Sequence, residues 1–506
     1  MRQLSLTFYG GAGEIGGNKV LLEDANTRLF FDFGTPFARR YQYFEEYLKP
    51  RPGAGLLDLL EMGLLPPLKG IYRSDLSTEG VWSRFKPIEL EVNGILLSHA
   101  HIDHSGYISF LREDIPIFTT AMTAFIAKAM QDSGGSDFEK EVCYTSPRVL
   151  KEGYLSTERQ HYRQRRFEFV DGLPEGEEPA RFWNQSPAIK KHLEPTPFGS
   201  STNRVGSLPL RYFPVDHSIF GAIAFAVETS LGWVAYTGDL RLHGRAARET
   251  ENFIEKLRAL KPYLLICEGT RAGDEGHTTE EEVYENALLA VREARGLVIA
   301  DFGPRNVERL LTFHQVARET SRRLVIQAKD AYLLHAMRLA SREMPDIGAL
   351  PNINIYQDLK GKVDPWEESL LKRYSQRLVT PSEIQASPGD FLLCFSFWDV
   401  KNLIDIAPRG GVYIYSSSEA HNEEQQVDLW RLRNWVNHFE MTFASERGLH
   451  ASGHASVPEL LSLIERISPR VLVPIHTENP GYFADNLQGK GIEVRIPAYG
   501  EKMSFP

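Results

Sequence analysis

The sequence predicts an α/β protein, and three features carry that reading. The N-terminal stretch reads as short strands, a long later stretch alternates strands with helices, and a compact polar motif falls on a loop between a strand and a helix. A chain of 506 residues is too long for one ordinary core, so two domains, or three, are expected.

Leu4, Leu6 and Phe8 alternate with Ser5 and Thr7, the pattern of a half-buried strand. The glycine-dense run Gly10-Gly11-Ala12-Gly13-Glu14-Ile15-Gly16-Gly17 follows. A dinucleotide-binding loop would open a helix, whereas Lys19 to Glu23 reads as another strand, so a hairpin-like turn with positive φ is the better account. Thr27 to Gly34 reads as a third strand that ends in Asp32. That carboxylate alone is a turn or cap residue; beside a metal site it could accept the second N–H of a ligand histidine.

His99, Ala100, His101, Ile102, Asp103 and His104 spell H-x-H-x-D-H. The apolar run Ile95 to Leu97 precedes them and helical spacing from Gly106 to Leu111 follows, so the motif sits where a scaffold presents ligands. Imidazoles mixed with a carboxylate suit zinc or manganese.

Residues 36 to 90 read as a short helical excursion over the domain edge, with Leu56 to Met62 as its apolar part. Ile115 to Phe118 and Ala121 to Met130 resume the strand and helix alternation. From Ser133 to Gly206 the chain is rich in charge, Gly, Pro and Ser, an insertion expected to carry little core of its own. Within it, Arg159 to Arg166 mixes basic, aromatic and amide groups and reads first as a solvated face, second as a phosphate contact.

Strands resume at Leu208, and two polar groups fall at strand ends, His217 in Val215-Asp216-His217-Ser218 and Asp239 in Thr237-Gly238-Asp239-Leu240. Each is ordinary alone; with the histidine motif they could complete a metal shell. From about Glu249 to Glu446, Tyr263–Cys267, Leu297–Ala300, Arg323–Ile326, Phe391–Phe395 and Gly411–Tyr415 read as strands separated by helices, a parallel sheet covered by helices. Polar loops return at His450 to Ser456 and Val473 to Glu478.

A net charge of -10 argues against an extended basic surface, though not against a local basic groove. Cys143, Cys267 and Cys394 are widely spaced, with no C-x-x-C, which indicates neither a disulfide framework nor a thiolate zinc site and fits a reducing cytoplasm. No apolar run is long enough for a signal peptide or membrane span, so an intracellular protein without a membrane is expected.

On these residues the chain resembles the metallo-β-lactamase superfamily and, within it, the β-CASP group of nucleases, ribonuclease J-like. Asp32, His99 to His104, His217 and Asp239 fall on four superfamily motifs. Glu268, His454 in Ser452-Gly453-His454, and His476 in Pro474-Ile475-His476 fall on the three motifs of the β-CASP group.

The resemblance implies an α/β/β/α sandwich from residues 1–248 and 447–506, interrupted at 249–446 by a β-CASP-like domain. It implies two divalent ions, zinc or manganese, with His99, His101 and His217 on one, Asp103, His104 and His476 on the other, and Asp239 bridging. Such a pair can share an activated hydroxide. Asp103, His454, Glu268 and Asp32 are the implied catalytic residues, and His450, Ser452 and Gly453 the implied substrate contacts. The implied activity is hydrolysis of RNA, or of single-stranded DNA, between the domains, with an oligomer possible. A small-molecule hydrolase of the same superfamily, lactonase-like or thioesterase-like, and a silent RNA-binding scaffold are the alternatives.

Overall fold

In the computed structural model, which describes residues 4–506 except 46, 79, 136, 160, 275, 277, 418–422 and 446–447, the alternating N-terminal residues build the inner face of a sheet. Leu6 and Phe8 point into an apolar layer that also holds Val20, Leu22, Leu29 and Phe31. That seven-stranded sheet runs, in spatial order, Phe167–Phe169, Ile117–Thr119, Gly94–Leu96, Thr27–Phe31, Val20–Asp24, Ser5–Phe8 and Lys502–Ser504. The last strand closes the edge beside the first, so the two ends of the described chain lie in one sheet.

A second seven-stranded sheet faces it, ordered Arg204–Val205, Leu208–Pro214, Ile223–Thr229, Gly232–Tyr236, Leu264–Glu268, Val471–Ile475 and Glu493–Val494. Phe225, Val227, Tyr236, Ile266 and Val473 supply its half of the shared layer. Its outer face is covered by the helices Ala247–Leu260 and Val457–Ile467, through Phe253, Ile254, Leu257, Leu460, Leu463 and Ile464. The first sheet is covered on its outer side by the helix Ala121–Ser133 and neighbouring turns. Alternating strands and one-sided helices thus produce the α/β/β/α layering.

The third sheet is parallel throughout, ordered Leu378–Val379, Ile353–Tyr356, Arg323–Ile326, Phe391–Cys394, Leu297–Asp301, Gly411–Tyr415 and Thr442–Ala444. Its strands are near-continuous apolar runs because helices bury both faces.

Several expectations change. The strand expected at Tyr263–Cys267 in the inserted sheet lies instead in the second sandwich sheet, between Gly232–Tyr236 and Val471–Ile475. The helix Ala247–Leu260 likewise packs on the sandwich, so the elements after residue 248 do not yet belong to the insertion. Strand and helix alternation is the same in both layers, and only strand pairing separates them. The return junction at 446–447 lies outside the described residues.

The segment 133–206 is also more built than its composition suggests. Phe167 and Phe169 extend the first sheet, and Trp183 is fully buried, ringed by Phe125, Phe167 and Phe169. Within the basic run, Arg165 is buried and donates to the carbonyls of Leu111 and Ser109, while Arg166 pairs with Glu168. Arg165 is a clamp on backbone carbonyls rather than part of a solvated face; Gln160 lies outside the described residues.

Candidate metal centre

Parallel strands end side by side, and the polar residues just past those ends therefore converge. Phe31 pairs with Leu96, which sets Asp32 beside the Ser98-His99 loop; Glu268 pairs with Ile475, which sets it beside His476. His217 and Asp239 follow the strands Leu208–Pro214 and Gly232–Tyr236.

His99, His101 and His217 form one group and Asp103, His104, Asp239 and His476 another, the candidate ligand atoms of each group lying within 4.8 Å of one another. His99 Nε2 and His217 Nε2 each lie 3.1 Å from His101 Nδ1. Asp239 Oδ2 reaches both groups, at 3.7 Å from His99 Nε2, 4.0 Å from His217 Nε2, 3.0 Å from His104 Nε2 and 3.8 Å from His476 Nε2. Asp103 Oδ2 is 3.2 Å from His476 Nε2.

Hydrogen bonds do not account for the arrangement of the first group. His217 Nδ1 donates to the Gly453 carbonyl at 2.5 Å, and His99 Nδ1 faces Ser98 Oγ at 3.0 Å. With those protons placed, the Nε2 lone pairs of both rings point at His101 Nδ1, which has one proton at most to give. Asp239 Oδ1 is buried without a hydrogen-bond partner among the described residues. Zinc holds imidazole nitrogens at about 2.0–2.1 Å, which puts two of its ligands about 3.3 Å apart in a tetrahedron. The donor set fits cations.

The electrostatics agree. Burial pushes His99 and His217 well below the usual histidine range, aided by the neighbouring imidazoles, and takes His101 down to about 4. His104 goes the other way: burial opposes its charge, but the carboxylates of Asp239, Asp103 and Asp32 outweigh burial and raise it well above that range. The same field that holds a proton there favours a metal cation.

Asp32 lies behind His104 rather than in the ligand groups. Its Oδ2 accepts from His104 Nδ1 at 2.7 Å, Ser98 Oγ at 2.8 Å and Tyr236 Oη at 2.5 Å, and Oδ1 accepts from Ser98 N at 2.7 Å. Its φ of 54° and that of His476, 53°, are left-handed for non-glycine residues, strain held at the site by these contacts. The glycine loop is tied in as well: Gly17 N donates to the Asp103 carbonyl, His476 N donates to the Gly11 carbonyl, and a side chain at Gly34 would strike the Asp103 carbonyl. Gly11, Gly13, Gly16 and Gly17 all have positive φ, as a hairpin-like turn requires.

His454 Nδ1 lies 3.0 Å from Glu268 Oε2 and 3.9 Å from Asp239 Oδ2. Burial works against its cation, yet Glu268 and Asp239 raise it to about 9. Glu268 Oε1 accepts from Leu240 N, so it also fixes the Asp239 loop.

The residues expected to touch substrate also hold their neighbours. Gly453 orients His217 through its carbonyl, and the Ser452 carbonyl accepts from Arg241 and His243. His450 is turned to the Ser416 carbonyl and burial takes it down to about 4, so it lies in the contact between the domains and not in the centre.

Sequence reasoning missed Ser98 and Thr270, whose hydroxyls link a carboxylate to a candidate ligand histidine: Asp32 to His99, and Glu268 to His476. Each adjoins a motif residue, which was the available signal. It also missed Arg241, for which isolated position offered none.

Fold and site together define a metallo-β-lactamase-type, metal-dependent hydrolase. The family RMMBL, described as the Zn-dependent metallo-hydrolase RNA specificity domain, matches residues 445–497. A protein named ribonuclease J from Mycolicibacterium smegmatis is 24% identical over 489 residues, covering 94% of this chain and 68% of that protein. One of the same name from Mycobacterium tuberculosis is 25% identical over 492 residues, with the same coverage. A solved structure of a protein of unknown function from Enterococcus faecalis V583 superposes with a TM-score of 0.67 at 23% identity, covering 99% of this chain and 100% of that one. These comparisons bear out the resemblance to ribonuclease J-like proteins of the β-CASP group of the metallo-β-lactamase superfamily.

Proposed function

We propose that the protein is a metal-dependent ribonuclease that hydrolyses phosphodiester bonds of RNA, with single-stranded DNA as the alternative substrate, between the sandwich and the inserted domain. The observation that carries this is the convergence of two ligand groups on Asp239, with the Glu268-held His454 alongside. Similarity to proteins named ribonuclease J favours it over a small-molecule hydrolase or a silent scaffold.

We assign two ions, zinc or manganese, to His99, His101 and His217 and to Asp103, His104 and His476, with Asp239 shared. The chemistry such a pair supplies is a lowered pKa for water and relief of the charge on an attacked phosphate. Asp32 holds the His104 ring by its Nδ1 proton, leaving Nε2 free as a ligand atom. Asp103 has its carboxylate within the second group and offers an oxygen there. His454, charged and fixed by Glu268, presents Nε2 to contact the phosphate or give a proton to the leaving oxygen.

Three buried, unpaired cysteines support a reducing cytoplasm as its place, and among the described residues no helix is long and apolar enough to cross a membrane. Assembly into oligomers belongs to the same reading. The test is incubation of purified protein, with zinc or with manganese, with RNA and DNA strands labelled at either end. Metal-dependent cleavage of RNA is expected; hydrolysis of small esters or lactones with RNA left intact would reverse the assignment.

A further inference from the structure

The loop 303–306 leaves the inserted sheet after Leu297–Asp301 and enters the helix Val307–Glu319. It carries Arg305, whose Nε is buried and has no hydrogen-bond partner among the described residues. Burial weakens the guanidinium's hold on its proton, bringing it to about 10, and the carboxylate that counters this is Asp103. The field of Arg305 also reaches His101. Arg305, from the inserted domain, thus lies within electrostatic range of Asp103 and His101, one residue of each ligand group, and it forms no ion pair with any described side chain.

A half-buried guanidinium whose Nε has no partner is costly, and Asp103 attracts it less once that carboxylate's charge is shared with a metal ion. Loading the centre adds positive charge, which favours an anion brought to the centre as the partner of Arg305. A planar guanidinium fits two oxygens of a phosphate.

The base of the loop is fixed for such a task. Asn306 Oδ1 accepts from Arg309 N at 2.9 Å and caps the helix. Glu308 accepts from Arg241 Nη2 at 2.6 Å and from Arg245 N at 2.8 Å. Arg309 binds Glu280 through Nε at 3.0 Å and Nη2 at 2.9 Å. Arg241, two residues past Asp239, also binds Asp216, the neighbour of His217, at 3.2 Å. One buried ionic network therefore joins the Arg305 loop to the loops that carry two metal-ligand candidates.

We propose that Arg305 binds the scissile phosphate of the nucleic-acid substrate, so that the inserted domain contributes a phosphate-contacting catalytic residue to the centre. This rests on the ribonuclease reading. The guanidinium engages the non-bridging oxygens and gains strength as negative charge builds on them during attack.

The test uses the full chain with Arg305→Ala, Arg305→Gln and Arg305→Lys at metal content matched to wild type. Arg305→Ala and Arg305→Gln should lower kcat/KM on RNA by about 10²–10³, the usual range for a lost donor to transition-state charge, with unaltered thermal melting. Arg305→Lys should recover part of it. Binding of uncleaved RNA to chelator-treated protein should lose about 0.7 from the slope of log affinity against log salt, one phosphate contact on a single strand. RNAs with a 5′-phosphate and with a 5′-hydroxyl should be affected alike. Wild-type rates and salt slope in both neutral variants, or a loss confined to 5′-phosphorylated RNA, would overturn the proposal while leaving the ribonuclease reading standing. Wild-type protein that neither binds nor cleaves RNA would overturn that reading and this proposal with it.

Discussion

Thr270 Oγ1 lies 2.7 Å from His476 Nδ1, and the same hydroxyl donates to Glu268 Oε2 at 2.8 Å. Because the hydroxyl's one proton goes to the carboxylate, it must accept the Nδ1 proton of His476, which leaves Nε2 as the candidate ligand atom. Ser98 does the same between Asp32 and His99. Thr270→Val keeps the shape and removes this control, so metal affinity of the second group should fall about 10–100-fold. Isothermal titration of zinc into metal-free protein measures it; unchanged affinity would mean that the hydroxyl does not set the tautomer.

Asp239 Oδ2 lies within 4.0 Å of histidine nitrogens in both groups, so Asp239→Ala should strip both ions, whereas His476→Ala should chiefly empty one. Elemental analysis after gel filtration separates the cases. About two metals per chain are expected in the wild type. Removing them with chelator should lower the melting temperature, since a cation that binds only the folded chain stabilises it. Equal metal loss in the two variants would contradict the bridging role.

His454→Ala should lower RNA cleavage by about 10²–10⁴ with both metals retained, the range for a positioned acid. Glu268→Gln should cost less, since the imidazole remains and only its hold is weakened. Full activity in His454→Ala would remove the imidazole from the chemistry.

Asp301 offers a check remote from the ligands. Burial, with Asp399 adding to it, raises its carboxyl from 3.8 to about 7, although the Tyr413 hydroxyl donates to it at 2.7 Å. Between about pH 4 and 7 the folded chain keeps a proton that the unfolded chain has released, so this group's contribution to stability falls as pH rises through that window and levels off above it. Asp301→Asn does not titrate. The urea midpoint of the wild type relative to this variant should therefore drop from pH 5 to pH 8; a constant difference would show that Asp301 is ionised throughout.

The sequence by itself determined the chemistry and its order along the chain. His99, His101, Asp103 and His104 are ligand types packed too tightly for chance, and alternation at Leu4, Leu6 and Phe8 and the apolar strands from Leu297 onward state their layers, because burial on one face or two writes period and composition directly. Glu268 and His454 were legible only through motif resemblance, since neither is unusual in isolation. Tertiary structure alone decided which sheet a strand joins: Leu264–Glu268 is as apolar as any strand of the insertion, and its place beside Val471–Ile475 depends on a partner some two hundred positions away. It also decided that Arg165 is a buried clamp, that His450 faces Ser416, and that Arg305 is half-buried within electrostatic range of Asp103. An arginine's written character is the same in solvent, in an ion pair or facing an anion site; what distinguishes them is which groups lie within a few ångströms, and that is set by chain segments far apart in sequence meeting in the fold.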